Sequence, residues 1–540
     1  MWSWSLSFAA IALLSNGNTD VSALATPSNV DSSDNNQVGF ANAVQGDGFL
    51  SIPVNAVPRP RPGRGSKAKR SNAYEDLLQN KDYFYATDGE WQRRPRASGR
   101  SGALTSGDAV NIGSPPQKVT ILVDTGSSEL WVNPSCSSAP TQSQYRECIS
   151  FGKYEPADSN TPPIGPFGYQ DIKYGDAADS STHTSVAIRY YADTVALGGA
   201  VVKNQTFGVV TKSEGQSQGI LGLGPHIKFG FDSDQPYTLL LNNMAKQGVI
   251  GSRVYSLDLR SSAVDSGAVI YGGVDKNKFV GKLEKRPIIR GANQDYRLAV
   301  ELTTVGLTLD SPRNFEVRGD EANVLIDSGS TVSRLRAEVA MPILMALNGK
   351  DDGQGYFQVS CDLREKAGSI DFGFGSKTLR VPLRDFVTDL TGNGETCYVG
   401  LVVTKDQQIL GDSVLRAGYF VIDWDSRAVH IAQAANCGGS DIVAVAKYSD
   451  TLQTVAGNCK LDSVNFSGGP DNQPTADSPA TSCSAANGNC KPAAAPTTTA
   501  KAKATPSGNA DGTTGAGVRT DAMSSLLVAA GLLSVLYSAL

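Results

Sequence analysis

One tetrapeptide motif occurs twice in this chain, each time behind the same kind of strand. Ile121-Leu-Val-Asp124-Thr125-Gly126-Ser127-Ser128 is echoed by Val324-Leu-Ile-Asp327-Ser328-Gly329-Ser330-Thr331. Each copy has its own later apolar-apolar-Gly element: Ile220-Leu221-Gly222, 98 residues after Asp124, and Ile409-Leu410-Gly411, 84 residues after Asp327. A single Asp-Thr-Gly arises easily by chance. Two copies with matching approach strands and matching sequels imply two related lobes, each delivering one carboxylate at a strand-to-turn junction. The apolar strand fixes the backbone and keeps water from the base of the site. The hydroxyls of Thr125 and Ser328 can bond across to the partner lobe. Ser127 and Ser330 can donate to the aspartates, and Gly126 and Gly329 let the two loops approach closely.

The rest of the body, roughly 100–437, reads as mainly β. Short apolar runs such as 119–123, 268–271 and 419–422 alternate with Gly, Asp, Asn and Pro. The best helical patterns are 238–247 and 337–348. Gly (56) and Pro (26) together run slightly above the ordinary level, which suits a turn-rich β protein and not a coiled coil or a polytopic membrane protein. With 48 basic and 53 acidic residues, the overall balance does not suit a nucleic-acid binder. Only His183, His226 and His430 are present, leaving little room for His-based metal sites. Gly411-Asp412-Ser413 superficially matches a lipase nucleophile block, but that block needs a His partner and His430 lies in a strand-like stretch.

On these residues the chain resembles the pepsin-like aspartic proteases over about 105–435. Gly113-Ser114-Pro115-Pro116-Gln117 matches the first hairpin of that family. Trp131 matches the tryptophan that supports the flap, and Tyr174-Gly175 the flap tyrosine and its glycine. Gly272-Gly273-Val274-Asp275 and 410–416 match two landmarks of the second lobe. The resemblance implies a bilobal fold with the cleft between two β-rich lobes, here 105–290 and 291–437. It also implies disulfides Cys361–Cys397 and Cys136–Cys148. It makes Asp124 and Asp327 a catalytic pair that activates water at acidic pH. No metal or organic cofactor is needed, extended polypeptides are the substrates, and statine-type inhibitors such as pepstatin should bind. A monomer is expected. Glu129 departs from the family, where a small polar residue is more typical. The segment 176–184 at the flap tip is longer and more polar than usual. Asp176, two residues beyond Tyr174, can face the pocket before the scissile bond, which predicts tolerance of Lys or Arg there; a solvated flap-tip acid is the alternative. An inactive surface-displayed binding protein on the same fold is the rival reading, and peptide hydrolysis separates the two.

The flanks read as processing and targeting segments. Residues 2–14 are apolar and lead to Ala23-Leu24-Ala25, a signal-peptide pattern over 1–25. Residues 26–70 end in a basic, proline-interrupted run closing on Lys69-Arg70 and read as a propeptide, with 71–104 as an N-terminal extension of the mature chain. Arg93-Arg94 and Arg96 form a second candidate cut. Residues 1–70 carry a formal charge of +2 and the remainder −7, so a basic pro-segment can sit on an acidic cleft until carboxylates protonate. Residues 438–510 read as a Cys-containing Ser/Thr/Pro/Ala-rich stalk, with low complexity from about 466. Residues 511–540 read as a GPI-attachment signal, against a tail-anchoring helix as the alternative. Propeptide, stalk and anchor together resemble the fungal GPI-anchored, yapsin-like group. That implies a route through the secretory pathway to plasma membrane or cell wall, with secretion as the alternative. Asn204 and Asn465 head N-glycosylation sequons. Cys437, Cys459, Cys483 and Cys490 allow three pairings.

Overall fold

The structure, a computed structural model, describes residues 43–56, 84–86, 110–139, 142–160, 163–175, 183–260, 266–309, 311–353, 355–389, 397–464 and 466. The proposed signal peptide, the GPI signal, Asp176, Asn465, Cys483 and Cys490 lie outside the described residues.

The architecture is mainly β and it organises the two sequence echoes into two equivalent units. In the first, the strand Ile121–Asp124 pairs in parallel with Gly219–Gly222, placing Gly222 opposite Asp124. The strand Leu130–Val132 then returns antiparallel to Gly219–Gly222. In the second, Asn323–Ile326 pairs in parallel with Gln408–Leu410, and Ser333–Leu335 returns against it. The Ile-Leu-Gly elements are therefore the partners of the aspartate-bearing strands. Glycine ends each because the aspartate-bearing turn crosses against it. A β-carbon on Gly222 would lie 2.5 Å from Glu129 N, and one on Gly411 2.8 Å from Val332 O.

A shared antiparallel sheet joins the two units. It runs, edge to centre, Glu284–Pro287, Ala428–Gln433, Gly418–Asp423, Val254–Asp258, Ser266–Tyr271 and Phe49–Ala56. The strand Phe49–Ala56 matches six residues of Ser266–Tyr271 in register, from Leu50 opposite Tyr271 to Asn55 opposite Ser266. Its other side carries Phe84–Ala86, which also pairs with Ile121–Asp124. Leu50, Ile52 and Val54 alternate into the core and are buried, the period-two pattern of a strand with one face inward. So part of the segment 26–70, too polar overall to order itself alone, takes its order from docking into a sheet supplied by the body.

The helices fall close to the periodic segments, Leu240–Lys246 and Ala337–Ala346. The apolar run 119–123 is split at Thr120 into the strands Gln117–Val119 and Ile121–Asp124. At the other end, folded structure continues past residue 437. Ile442–Ala444 pairs with Gly273–Asp275, and Ala456–Asn458 with Val280–Lys282. Cys437 and Cys459 are joined, with Cα atoms 5.3 Å apart. The stretch to about 464 thus packs on the body, because Val445 and Leu452 are buried with Val274, Phe279 and Tyr419. Only the part of 438–510 beyond it has the composition of a stalk. Cys136–Cys148 and Cys361–Cys397 are also bonded, with Cα separations of 5.5 and 5.1 Å.

Candidate active site

The two Asp-containing turns meet at the junction of the lobes and are hydrogen-bonded to one another in a near-symmetric cross. Thr125 N donates to Ser328 Oγ at 3.2 Å, and Ser328 N donates to Thr125 Oγ1 at 3.0 Å. Each hydroxyl then donates onward into the opposite strand, Thr125 Oγ1 to Ile326 O and Ser328 Oγ to Val123 O, both at 2.8 Å. Both hydroxyls are buried, Thr125 and Ser328 being 1% and 0% exposed. Every donor and acceptor in the cross is satisfied, as a buried polar network requires.

The carboxylates are oriented by the same set of donors in each lobe. Asp124 Oδ1 accepts from Gly126 N at 2.8 Å and its Oδ2 from the Ser127 hydroxyl. Asp327 Oδ1 accepts from Gly329 N at 2.8 Å and its Oδ2 from Ser330 Oγ at 2.7 Å. The glycines explain how closely the turns approach. A β-carbon on Gly329 would sit 2.5 Å from Asp124 Oδ1, and one on Gly126 2.6 Å from Asp327 Cγ. Each glycine therefore lies against the carboxylate of the other lobe, and no side chain can stand there. Burial first, and then the neighbouring Asp327 carboxylate, push Asp124 up to about 7. Two acids crowded in a dry site hold on to a proton that either alone in water would release.

The backbone behind the turns is clamped from both sides. Leu223 N donates to Asp124 O at 2.7 Å and Gly224 N to Ser127 O at 2.8 Å. In the second lobe Asp327 N donates to Leu410 O at 3.1 Å and Asp412 N to Ser330 O at 2.8 Å. Ser413, the residue of the lipase-like triplet, bonds Ser333 at 2.9 Å and takes part in this clamp.

The flap is a long antiparallel hairpin, Ile164–Tyr174 against Thr184–Leu197. Tyr174 ends its first strand, and its hydroxyl accepts from Trp131 Nε1 at 2.7 Å. Trp131 is fully buried beneath it. Burial, followed by the Asp124 charge, raises Tyr174 far above the ordinary phenol range and keeps its proton on. Gly175 follows with φ at 113°, a backbone region that favours glycine. Asn204 is exposed on the strand Ala200–Glu214, well away from these groups in sequence.

Glu129, the departure in the first turn, is only 5% exposed. Its carboxylate receives the hydroxyls of Ser128 at 3.4 Å, Tyr190 at 3.5 Å, and Tyr237. These tyrosines lie 61 and 108 residues downstream of Glu129, and no local pattern in the sequence marks them.

A family model described as Eukaryotic aspartyl protease matches residues 107–434. The chain belongs to the eukaryotic aspartyl protease family. It is an aspartic-type endopeptidase, and peptides are its substrates. It is 34% identical over 352 residues to Candidapepsin-3 of Candida albicans, covering 62% of this chain and 81% of that protein. It is 34% identical over 415 residues to Secreted aspartic protease 4 of the same organism, covering 74% of this chain and 87% of that protein. Among solved structures, the aspartic proteinase from Irpex lacteus is similar, with TM-score 0.49 and 17% identity over 72% of this chain and 97% of that one.

Proposed function

We propose that Asp124 and Asp327 are the catalytic dyad of this endopeptidase, working at acidic pH on an extended peptide laid between the lobes. The single observation that carries this reading is the symmetry of the site: each carboxylate is held by its own Gly N–H and Ser hydroxyl, and each is faced by the glycine of the other turn. Two carboxylates so close share one proton in the acid range. The ionised member draws a proton from a water held between them, and that water attacks the scissile carbonyl. The protonated member hydrogen-bonds the carbonyl oxygen as charge develops there. The proton then passes to the departing amine. Thr125 and Ser328 fix the distance between the lobes. Tyr174, tied to Trp131, closes over the substrate and excludes water, and Asp176 just beyond it favours Lys or Arg at the cleavage site.

The flanking segments fit a secretory zymogen: signal 1–25, propeptide 26–70 cut after Lys69-Arg70, and a C-terminal stalk and GPI lipid holding the enzyme at the cell surface. The names of the relatives, candidapepsin and secreted aspartic protease, accord with export. The test is hydrolysis of a mixed peptide library between about pH 3 and 6 by the processed enzyme. Cleavage should be blocked by pepstatin and abolished by Asp124→Asn and by Asp327→Asn. Unimpaired cleavage by either variant overturns the assignment.

A further inference from the structure

One face of the shared sheet is only partly covered. Residues directly opposite each other in paired strands share a face, and Val254 lies opposite Asp423, Val421 opposite His430, and His430 opposite Lys285. These side chains therefore stand together on one side. The C-terminal stretch lies over it, with Val445 and Leu452 buried in one cluster with Val254, Tyr419 and Val421. Beside that cluster a pocket of about 240 Å³ remains between the sheet and residues 445–453. His430, Asp423, Lys285 and Lys447 line it.

The polar groups of this pocket are incompletely matched. His430 is 2% exposed, yet neither ring nitrogen has a hydrogen-bond partner among the described residues. Buried polar groups are normally bonded. Its Nε2 stands 3.9 Å from Asp423 Oδ2, too far for a bond between the two. Two acceptors at that spacing can be bridged by a single donor centre about 2.9 Å from each. Burial lowers His430 to about 4, opposed by the Asp423 charge and helped by that of Lys285, so at neutral pH the ring is uncharged and offers an acceptor. Asp423 takes the Ser426 N–H at 2.9 Å and the Ser426 hydroxyl, and a carboxylate has room for more donors than these. Asp425, on the same rim, is already paired with Arg253 at 2.8 Å. The ammonium groups of Lys285 and Lys447 form no ion pair among the described residues; that of Lys447 rests over the Tyr448 ring at 4.9 Å.

Three needs meet in one small space. His430 and Asp423 call for a donor, Lys285 and Lys447 for a negative charge, and Val254, Val445 and Leu452, which also line the pocket, for apolar surface. We propose that the pocket binds a free amino acid with an apolar side chain, its ammonium between His430 and Asp423, its carboxylate on Lys285 and Lys447, and its side chain against the three apolar residues. A ligand of one charge alone leaves either the acceptors or the lysines unmatched. The volume falls just below the ~300–1,000 Å³ of pockets that take drug-sized molecules, which suits a ligand of amino-acid size. Lys285 belongs to the sheet and Lys447 to the C-terminal stretch, so the bound carboxylate would tie one to the other. The site shares no residue with the aspartate turns or the flap.

The experiment is titration of the processed chain carrying Asp327→Asn with L-leucine at about pH 6.5, near the ordinary imidazole range. The chain has three histidines, so imidazole 15N resonances of a 15N-histidine sample are resolved, and that of His430 is assigned by its loss in His430→Gln. Leucine should move the His430 signals and leave those of His183 and His226 in place. Two probes separate the charges: 4-methylpentanoate lacks the ammonium and 3-methylbutylamine lacks the carboxylate. Each should bind at least about tenfold more weakly than leucine, the size of one lost charge-assisted hydrogen bond. The double variant Lys285→Ala/Lys447→Ala changes only exposed side chains and should weaken leucine by about tenfold; it carries the test if His430→Gln does not fold. His430 signals unmoved by leucine up to about 20 mM, well into the millimolar range, overturn the proposal. Equal binding of 4-methylpentanoate, which would make this an anion site, overturns it too, as does leucine affinity unchanged in the lysine variant.

Discussion

Removing the Asp124 carboxylate should make the protein more stable at neutral pH. Asp124 is raised from 3.8 to about 7, chiefly because it is buried. A buried acid with a raised value supports folding fully below about pH 4 and loses that support as pH rises through about 7, because the folded state must then hold a charge that water would hold better. A shift of about 3 units corresponds to roughly 4 kcal/mol at about 1.36 kcal/mol per unit. The comparison is best made between Asp327→Asn and the double variant Asp124→Asn/Asp327→Asn, since on the proposed dyad neither digests itself. With the Asp327 charge gone, burial remains the main cause, so the expected difference is on the order of 2–4 kcal/mol. In Asp124→Asn the side-chain oxygen still accepts from Gly126 N, and the Ser127 hydroxyl can turn to accept from the new amide, so any packing offset is the same at all pH values. Urea or thermal melts at pH 4 and pH 8 read the change. The double variant should gain on the single one by that amount between the two, several degrees in Tm. An equal offset at both pH values, or a gain at pH 4 instead, would refute the claim that Asp124 is held protonated by its burial.

Three further outcomes follow from the geometry. Ser328→Ala leaves Thr125 N without its acceptor and Val123 O without its donor, both buried; unfolding free energy should drop by about 2–3 kcal/mol, measured by denaturant titration, and a loss below about 0.5 kcal/mol would count against the cross as the tie between lobes. Tyr174→Phe strips the acceptor from Trp131 Nε1 and should lower kcat/KM about tenfold with little change in Tm; an unchanged kcat/KM would remove Tyr174 from the flap's work. Leu50→Ala empties a fully buried site in the shared sheet and should cost about 3 kcal/mol in the unprocessed chain, read by melts before and after cleavage at Lys69-Arg70.

The geometry of the two aspartate turns was legible because it is carried by contiguous residues. Asp-(Thr/Ser)-Gly-Ser states in four positions the carboxylate, the cross-lobe hydroxyl, the close approach and the orienting donor. The pairing of Tyr174 with Trp131 could be anticipated from the Tyr-Gly context. The function of the Ile-Leu-Gly elements could not, since parallel pairing with a strand 98 residues earlier is a long-range choice that leaves only an apolar signature. Glu129 shows the other limit. Its oddity was visible, but its meaning lies in Tyr190 and Tyr237, brought to it by the hairpin and by the segment before a helix. The ends of the folded body were misjudged by composition for a similar reason. Residues 49–56, 442–444 and 456–458 are short and unremarkable as sequence, and they become strands only because the body offers them an unpaired neighbour.

The strand Phe49–Ala56 lies upstream of the dibasic site yet in the interior of the sheet, hydrogen-bonded on one side to Ser266–Tyr271 and on the other to Phe84–Ala86. Scission at Arg70 would therefore nick the polypeptide without freeing the piece before it, and maturation would need a second event in which that piece peels away or is displaced. Until then the nicked protein would behave as a two-chain complex, separable in denaturant but co-migrating in native gels.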